Sequence, residues 1–354
     1  MDNLKLINMH DVEAEQIRFL WYPYIAYGKI TIVQGDPGDG KTTMMLAIAA
    51  ALTCGKGIAE GGIAVAPADT IFQTAEDGLA DTIKPRLEQL GADCARIHVI
   101  DEEDKTLSLV DERIEAAITR TGAKLFILDP LQAYMGGADM NGTGGVRPLM
   151  KRLAAVAEST GAAIVLIGHL NKNGGSKSVY RGLGSIDIPA AARSVLTVGR
   201  LVNVDENMRA FIQTKSNLAP TGKPQAFGLD PTNGFCWLGD CEVTIDELLD
   251  GKKSEKSGTS QLELAKAFIK GLLSHGDVPA AEVFLKGADA GFPEATMKRA
   301  KSDLSVKSVK RGNEWFWVIQ SNQGYQAAKE SQGVREPLDT LATLDTLADR
   351  TGAM

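Results

Sequence analysis

The stretch "KITIVQGDPGDGKTTMML", Lys29 to Leu46, decides the fold. Its first six residues are a short apolar run rich in β-branched side chains, which reads as a buried strand. Its end, continued by "AIAAALTC", reads as a helix. Between the two, Gly35, Gly40, Lys41 and Thr42 fit G-x-x-x-x-G-K-[ST]. With a strand before and a helix after it, this spacing turns backbone N–H groups and a helix N-terminus onto phosphate oxygens. Gly35, Asp36, Pro37, Gly38, Asp39, Gly40, Lys41, Thr42 and Thr43 are therefore the expected nucleotide-binding loop. In that arrangement Lys41 reaches the β and γ oxygens of ATP, and the Thr42 hydroxyl helps hold Mg²⁺. Asp39, between two glycines, is an unusual occupant of such a loop.

The pattern repeats outward from this stretch. "TIFQTA" (Thr70 to Ala75), "RIHVI" (Arg96 to Ile100), "KLFILD" (Lys124 to Asp129) and "AAIVLIGH" (Ala162 to His169) are further apolar strands. The amphipathic stretches "VDERIEAAITRTG" and "VRPLMKRLAAVAESTG" lie between them and end in Thr-Gly stops. Alternating strand and helix units imply an α/β fold: a mainly parallel sheet with helices on both faces, the P-loop NTPase architecture. "RSVLTVGRL", "RAFIQTK", "QAFGLD" and "GFCWLG" then read as consecutive strands that extend one sheet edge. The expected organisation is an N-terminal segment at 1–20, an ATPase domain at 21–249, a polar linker at 250–260, a small α+β domain at 261–320 and a polar, disordered tail at 321–354. In 261–320, three helical patterns and a strand–turn–strand suggest a winged helix-turn-helix. Of Trp315, Phe316 and Trp317, at least one is expected in its core.

Two acids and a histidine fall at strand ends. Asp129 closes "KLFILD", where a carboxylate would reach the metal through water. Glu76 follows "TIFQTA" and is placed to deprotonate an attacking water, with Asp77 beside it as the competing candidate. His169 closes the strand expected next to that of Asp129, where an imidazole would sense the γ-phosphate and relay its loss to the next loop. That loop, "NKNGGSKSVYRGLGS", carries Lys172, Lys177, Tyr180 and Arg181 and no acid, the composition of a segment that grips a nucleic-acid strand.

The run "YGKITIVQGDPGDGKTTMML", with "AED", "LDPLQAYMGG", "GHLNKNGG", "YRGLGS", "AARSVLTV" and "TKSNLAP", resembles the RecA-like ATPase core of RepA-type hexameric helicases and the AAA family ATPases of phages and plasmids. The resemblance covers roughly Trp21 to Gly239. It implies a homo-oligomeric ring, a hexamer, around single-stranded DNA. ATP hydrolysis would drive translocation and unwinding, as in plasmid, phage or mobile-element replication. It also implies that the loop after His169 and "GGADMNGTGG" face the central channel, and that Arg193 and Lys215 complete a neighbouring subunit's site. Relatives carry Lys-x-Arg at the second of these positions; here Lys215 is followed by Ser216 and Asn217, so weight falls on Arg193. A DNA-dependent ATPase that does not unwind, and an ATP-switched DNA-binding regulator, share the same motifs.

Charge separates these readings from others. The formal net charge is −7 over 354 residues, so contact with nucleic acid must come from local patches. The small C-terminal unit supplies one: Lys298, Arg299 and Lys301 on its third helix, with Lys307, Lys310 and Arg311 on the hairpin. Such a stripe suits duplex phosphates, although winged helices also dock proteins. Four cysteines without a CxxC pair argue against zinc. No apolar run approaches the ~20 residues that span a bilayer, and the expected compartment is the cytoplasm.

Overall fold

A computed structural model of the chain describes residues 6–59, 62–137, 143–170, 187–202, 204–230, 234–250 and 260–319. A hairpin of β1 (Phe19–Trp21) and β2 (Ile25–Ala26) comes first. Its Trp21 and Tyr24 pack edge-on against Phe211 of the sheet.

The strand expected before the glycine loop is β3 (Ile30–Gly35), and the helix after it is α1 (Lys41–Thr53). Then come β4 (Thr70–Thr74), α2 (Lys84–Gln89), β5 (Ile97–His98), α3 (Glu112–Thr121), β6 (Leu125–Asp129), α4 (Thr143–Thr160) and β7 (Ala163–His169). After these follow α5 (Asp187–Ala191), β8 (Ser194–Arg200), β9 (Met208–Ser216), β10 (Gln225–Asp230), β11 (Gly234–Asp240) and α6 (Ile245–Asp250). Strands β3 to β11 form one nine-stranded sheet in the order β11-β10-β9-β8-β3-β7-β6-β4-β5. Strands β8, β3, β7, β6, β4 and β5 run parallel, while β9, β10 and β11 continue the edge antiparallel. The centre is buried on both faces: β7 reads AIVLIGH, with only His169 partly exposed. One face is covered by α3 and α4 through Ile114, Ile118, Val146, Met150 and Leu153. The other is covered by α1, apolar on nearly every side, through Met44, Met45, Ile48 and Leu52.

The expected strand at "RIHVI" is two residues long rather than five. Its continuation is captured by a side chain: Gln73, 1% exposed, accepts from Ile100 N at 2.9 Å and donates to Ile100 O at 3.1 Å. A buried amide thus satisfies the backbone groups that a longer ladder would have used.

The C-terminal elements are α7 (Gln261–Leu272), β12 (Val278–Pro279), α8 (Ala280–Asp289), α9 (Glu294–Asp303), β13 (Lys307–Arg311) and β14 (Glu314–Val318). The three short strands pair antiparallel in the order β12-β14-β13, so the hairpin gains a third strand that the sequence did not reveal. Trp317, 1% exposed, is the core aromatic of β14, and Trp315 is exposed. Leu264, Phe268 and Ile269 of α7 share an apolar cluster with Ala210, Ala226 and Leu238, so these elements are seated on the antiparallel edge of the sheet. The linker at 251–259, the loop at 171–186 and the tail at 320–354 lie outside the described residues.

Candidate nucleotide site

The turn between β3 and α1 needs glycine at two points. A Cβ on Gly35 would lie 2.4 Å from the Val198 carbonyl oxygen. Gly40 has φ +85°, and a Cβ there would lie 2.3 Å from Leu229 Cδ1. Both contacts are far inside van der Waals range, and the left-handed φ excludes most side chains. The turn therefore hugs the ends of β8 and β10, and its backbone is free to face a ligand.

Lys41 is 4% exposed. Its Nζ donates to the carbonyls of Gly35 at 3.0 Å and Asp36 at 2.8 Å, which curls the side chain back over the loop. Burial pulls its pKa below the usual lysine value, and the carboxylates of Asp39, Asp129, Asp36 and Glu76 oppose that pull. Four acids around one cation are a strongly negative surround for a polyphosphate. The balance calls for added positive charge.

Thr42 Oγ1 donates to Asp129 Oδ2 at 2.5 Å. Asp129 is 5% exposed, and its pKa is raised by burial against the lowering effect of the Thr42 bond. Strand order explains the meeting: β6 lies beside β7, which lies beside β3, so the C-terminal ends of β3, β6 and β7 open onto one rim. A hydroxyl and a carboxylate side by side are hard oxygen donors, suited to Mg²⁺ bound mainly through phosphate and water. Among the described residues no group of three or more His, Cys, Asp or Glu could hold a metal. The Thr42–Asp129 pair fits magnesium carried in with a nucleotide.

On the same rim, His169 Nε2 lies 3.5 Å from Glu76 Oε1. His169 Nδ1 is buried with no hydrogen-bond partner among the described residues, and Gln132 Nε2 donates to the His169 carbonyl at 3.2 Å. Asp77, the competing acid, faces Arg86 at 3.1 Å, so its carboxylate is already engaged. Thr74 Oγ1 accepts from the backbone N–H of both Glu76 and Asp77, which shapes the turn that holds Glu76 outward. Lys41, Thr42, Glu76, Asp129 and His169 are brought together.

Arg193 and Lys215 are not. The Arg193 N–H donates to Ile30 O, at the start of β3, and Lys215 pairs with Val195. Five residues of strand, about 17 Å at ~3.3 Å per residue, separate that end of β3 from Gly35. Lys215 Nζ donates to the carbonyls of Pro189 at 2.7 Å and Ala190 at 3.1 Å, and Arg193 is exposed. Lys172, Lys177, Tyr180 and Arg181 lie outside the described residues, as do residues 138–142 of "GGADMNGTGG". In the C-terminal unit, Arg299, Lys307 and Lys310 are exposed. Lys298 pairs with Glu294 at 2.7 Å. Lys301 lies 4.8 Å from the centre of the Trp317 ring, and Arg311 pairs with Asp277.

Two polar residues of the rim escaped the sequence reading. Gln132 lies in "LDPLQAY", three residues past Asp129, and braces His169. Arg200 ends the apolar strand β8 and meets Asp39, its Nε 3.4 Å from Oδ1. The only signal for either was a lone polar residue at the mouth of a buried strand.

Residues 4–175 match the family model described as an AAA domain. Over 153 residues the chain is 29% identical to a protein named DNA repair protein RadA from Halalkalibacterium halodurans, covering 42% of this chain and 30% of that protein. A protein of the same name from Streptococcus pneumoniae is 23% identical over 172 residues, 48% of this chain and 36% of that protein. The chain spans about a third of the length of these curated relatives. Among solved structures, a KaiC-like protein from Pyrococcus horikoshii is 17% identical with a TM-score of 0.45, covering 60% of this chain and 90% of its own. Sheet order, glycine loop and family match agree on an α/β RecA-like P-loop core with a mostly parallel central sheet. No described helix is long and apolar enough to cross a membrane.

Proposed function

We infer that the chain is an ATP-hydrolysing DNA motor, a ring-forming helicase that moves on single-stranded DNA. The observation that carries the hydrolytic half is the rim itself, where Lys41 and the Thr42–Asp129 pair stand beside the Glu76–His169 pair at 3.5 Å. Lys41 would exchange the Gly35 and Asp36 carbonyls for β and γ oxygens. Glu76 would accept the proton of the attacking water while His169 fixes its carboxylate. Magnesium held at Thr42 and Asp129 would supply charge neutralisation at the phosphates.

Three features favour a DNA-coupled oligomer. Arg193 and Lys215 stand at the sheet end away from their own loop, so they serve a nucleotide only where a second copy presents one. The C-terminal order helix, strand, helix, helix, strand, strand supports the winged-helix reading, and the exposed Arg299, Lys307 and Lys310 suit phosphate contacts. The proteins matched over the ATPase half carry the name DNA repair protein. That name also favours a second reading, a DNA-dependent ATPase of recombination type that does not unwind. Strand displacement on a forked duplex with Mg-ATP, alongside the mass of the assembly in nucleotide, tests the first. Displacement by a hexamer supports the motor. ATP turnover without displacement selects the second reading, and a monomer in saturating nucleotide overturns the ring.

A further inference from the structure

At the tip of the phosphate loop Asp39 is 6% exposed. One carboxylate oxygen accepts from the Asp36 N–H at 3.1 Å and the other faces Arg200 Nε at 3.4 Å. Arg200 also lies over Gly38, its Nη2 3.6 Å from where a Cβ would be. Directly across the β8–β9 pair stands a second arginine, Arg209. Like charges placed opposite one another in a sheet are destabilising. Arg209 is 7% exposed. Its Nη1 is held by the carbonyls of Glu206 and Met208, and its Nε is buried with no partner among the described residues. Two arginines in register, one of them with a buried Nε that has no partner among the described residues, put unneutralised positive charge at this strand end. The acidic loop beside them is where an anion is expected.

We propose that Arg200, backed by Arg209, is a phosphate ligand supplied within the same chain, and that it exchanges Asp39 for the terminal phosphate of a bound nucleoside triphosphate. This rests on the reading of the Lys41 loop as a nucleotide site. Within the loop Lys41 faces Asp39, Asp129, Asp36 and Glu76, and magnesium held at Thr42 and Asp129 would balance part of a diphosphate's charge. The third phosphate adds charge that Lys41 shares between the β and γ oxygens, and Arg200 is the next cation at the loop tip. Arg200 has five N–H donors in a planar fork, of which Asp39 engages one, so it can reach a phosphate oxygen without leaving the loop tip. Arg209, fixed by backbone carbonyls, holds the opposing charge that turns Arg200 away from the sheet and toward the loop. Asp39 then acts as a placeholder anion that keeps the guanidinium in position between turnovers.

The test is equilibrium titration of the full chain with Mg-ADP and with the magnesium complex of the β,γ-imido analogue of ATP, for wild type, Arg200→Ala, Arg200→Lys, Asp39→Asn and Lys41→Ala. Arg200→Ala removes a largely exposed side chain, so folding is not at stake. It should weaken the triphosphate analogue by roughly ten- to a hundredfold, the worth of one charge-assisted contact, and leave ADP within about twofold. Arg200→Lys should fall between, because an ammonium keeps the charge and loses the fork. In Asp39→Asn the amide oxygen still accepts the Asp36 N–H, and triphosphate binding should tighten several-fold as Arg200 is released. Equal losses for both nucleotides would make Arg200 a brace of the loop and overturn the proposal, as would no loss for either. Weaker triphosphate binding by Asp39→Asn would overturn the exchange. Wild type that binds no better than Lys41→Ala would instead overturn the nucleotide site, a failure distinct from that of Arg200.

Discussion

Replacing Lys41 by methionine should separate the fold from its ligand. The side chain is 4% exposed, and methionine keeps most of its apolar volume. Burial already disfavours the ammonium. Losing the ammonium relieves a desolvation penalty of several kcal/mol per buried ion. Against this, the carbonyls of Gly35 and Asp36 lose their donor, at about 1–3 kcal/mol for each group left unsatisfied. The two effects nearly cancel, so the melting temperature should move by no more than roughly 5 °C at ~2–4 °C per kcal/mol. Binding has no such compensation. Two charge-assisted hydrogen bonds to phosphate, about 1.5–3 kcal/mol each, correspond to a loss of roughly 10²–10⁴ in affinity. Calorimetric titration with Mg-ATP beside differential scanning calorimetry reads both numbers. Binding within tenfold of wild type would refute the assignment of Lys41, and a collapse of the melting transition would refute the claim that its role is in the ligand and not in the fold.

Other consequences follow from the same geometry. Gly40→Ala should weaken nucleotide binding, because φ +85° strains a Cβ there and the Leu229 side chain must shift; Mg-ATP titration reads it. Burial raises the Asp39 pKa, so the stability its carboxyl contributes is full below the ordinary value of 3.8 and is lost as pH rises through the raised one. Asp39→Asn should therefore melt higher than wild type at pH 7, with the difference vanishing near pH 3 in thermal melts across that range. Glu76→Gln should bind Mg-ATP within about threefold of wild type and lose roughly 10²–10⁴ in turnover, the usual worth of a general base, in a phosphate-release assay. Trp317→Ala should cost about 3–5 kcal/mol in the C-terminal elements by denaturant unfolding, since the ring is 1% exposed. Lys307→Ala with Lys310→Ala should weaken DNA binding and flatten its salt dependence by roughly two contacts, measured by titration at several salt concentrations.

The parts of the molecule that follow from local rules were legible. The strand–loop–helix from Ile30 to Thr53 has period, glycines and helix start in one short stretch, and no distant residue is needed to read it. Strand ends carrying Asp129 and His169 were placed by the same logic, because parallel strands present their C-terminal ends on one rim. What escaped depended on partners far along the chain. Nothing near "RIHVI" shows that Gln73 will capture Ile100. Arg200 reads as the solvated end of a strand until β8 is laid beside the loop 161 residues earlier and Asp39 appears against it. The two-residue strand at Val278 is too short to leave a period, and it forms because β14 offers it an edge. The seating of α7 on the sheet edge was hidden for a like reason: its apolar face looks the same whatever covers it.

Steady-state phosphate release by the full chain, with and without saturating single-stranded DNA, tests the central claim most directly. A rate that rises several-fold with DNA and disappears in Lys41→Met is the expected result. A rate indifferent to DNA would contradict the motor and leave a nucleotide-hydrolysing core alone.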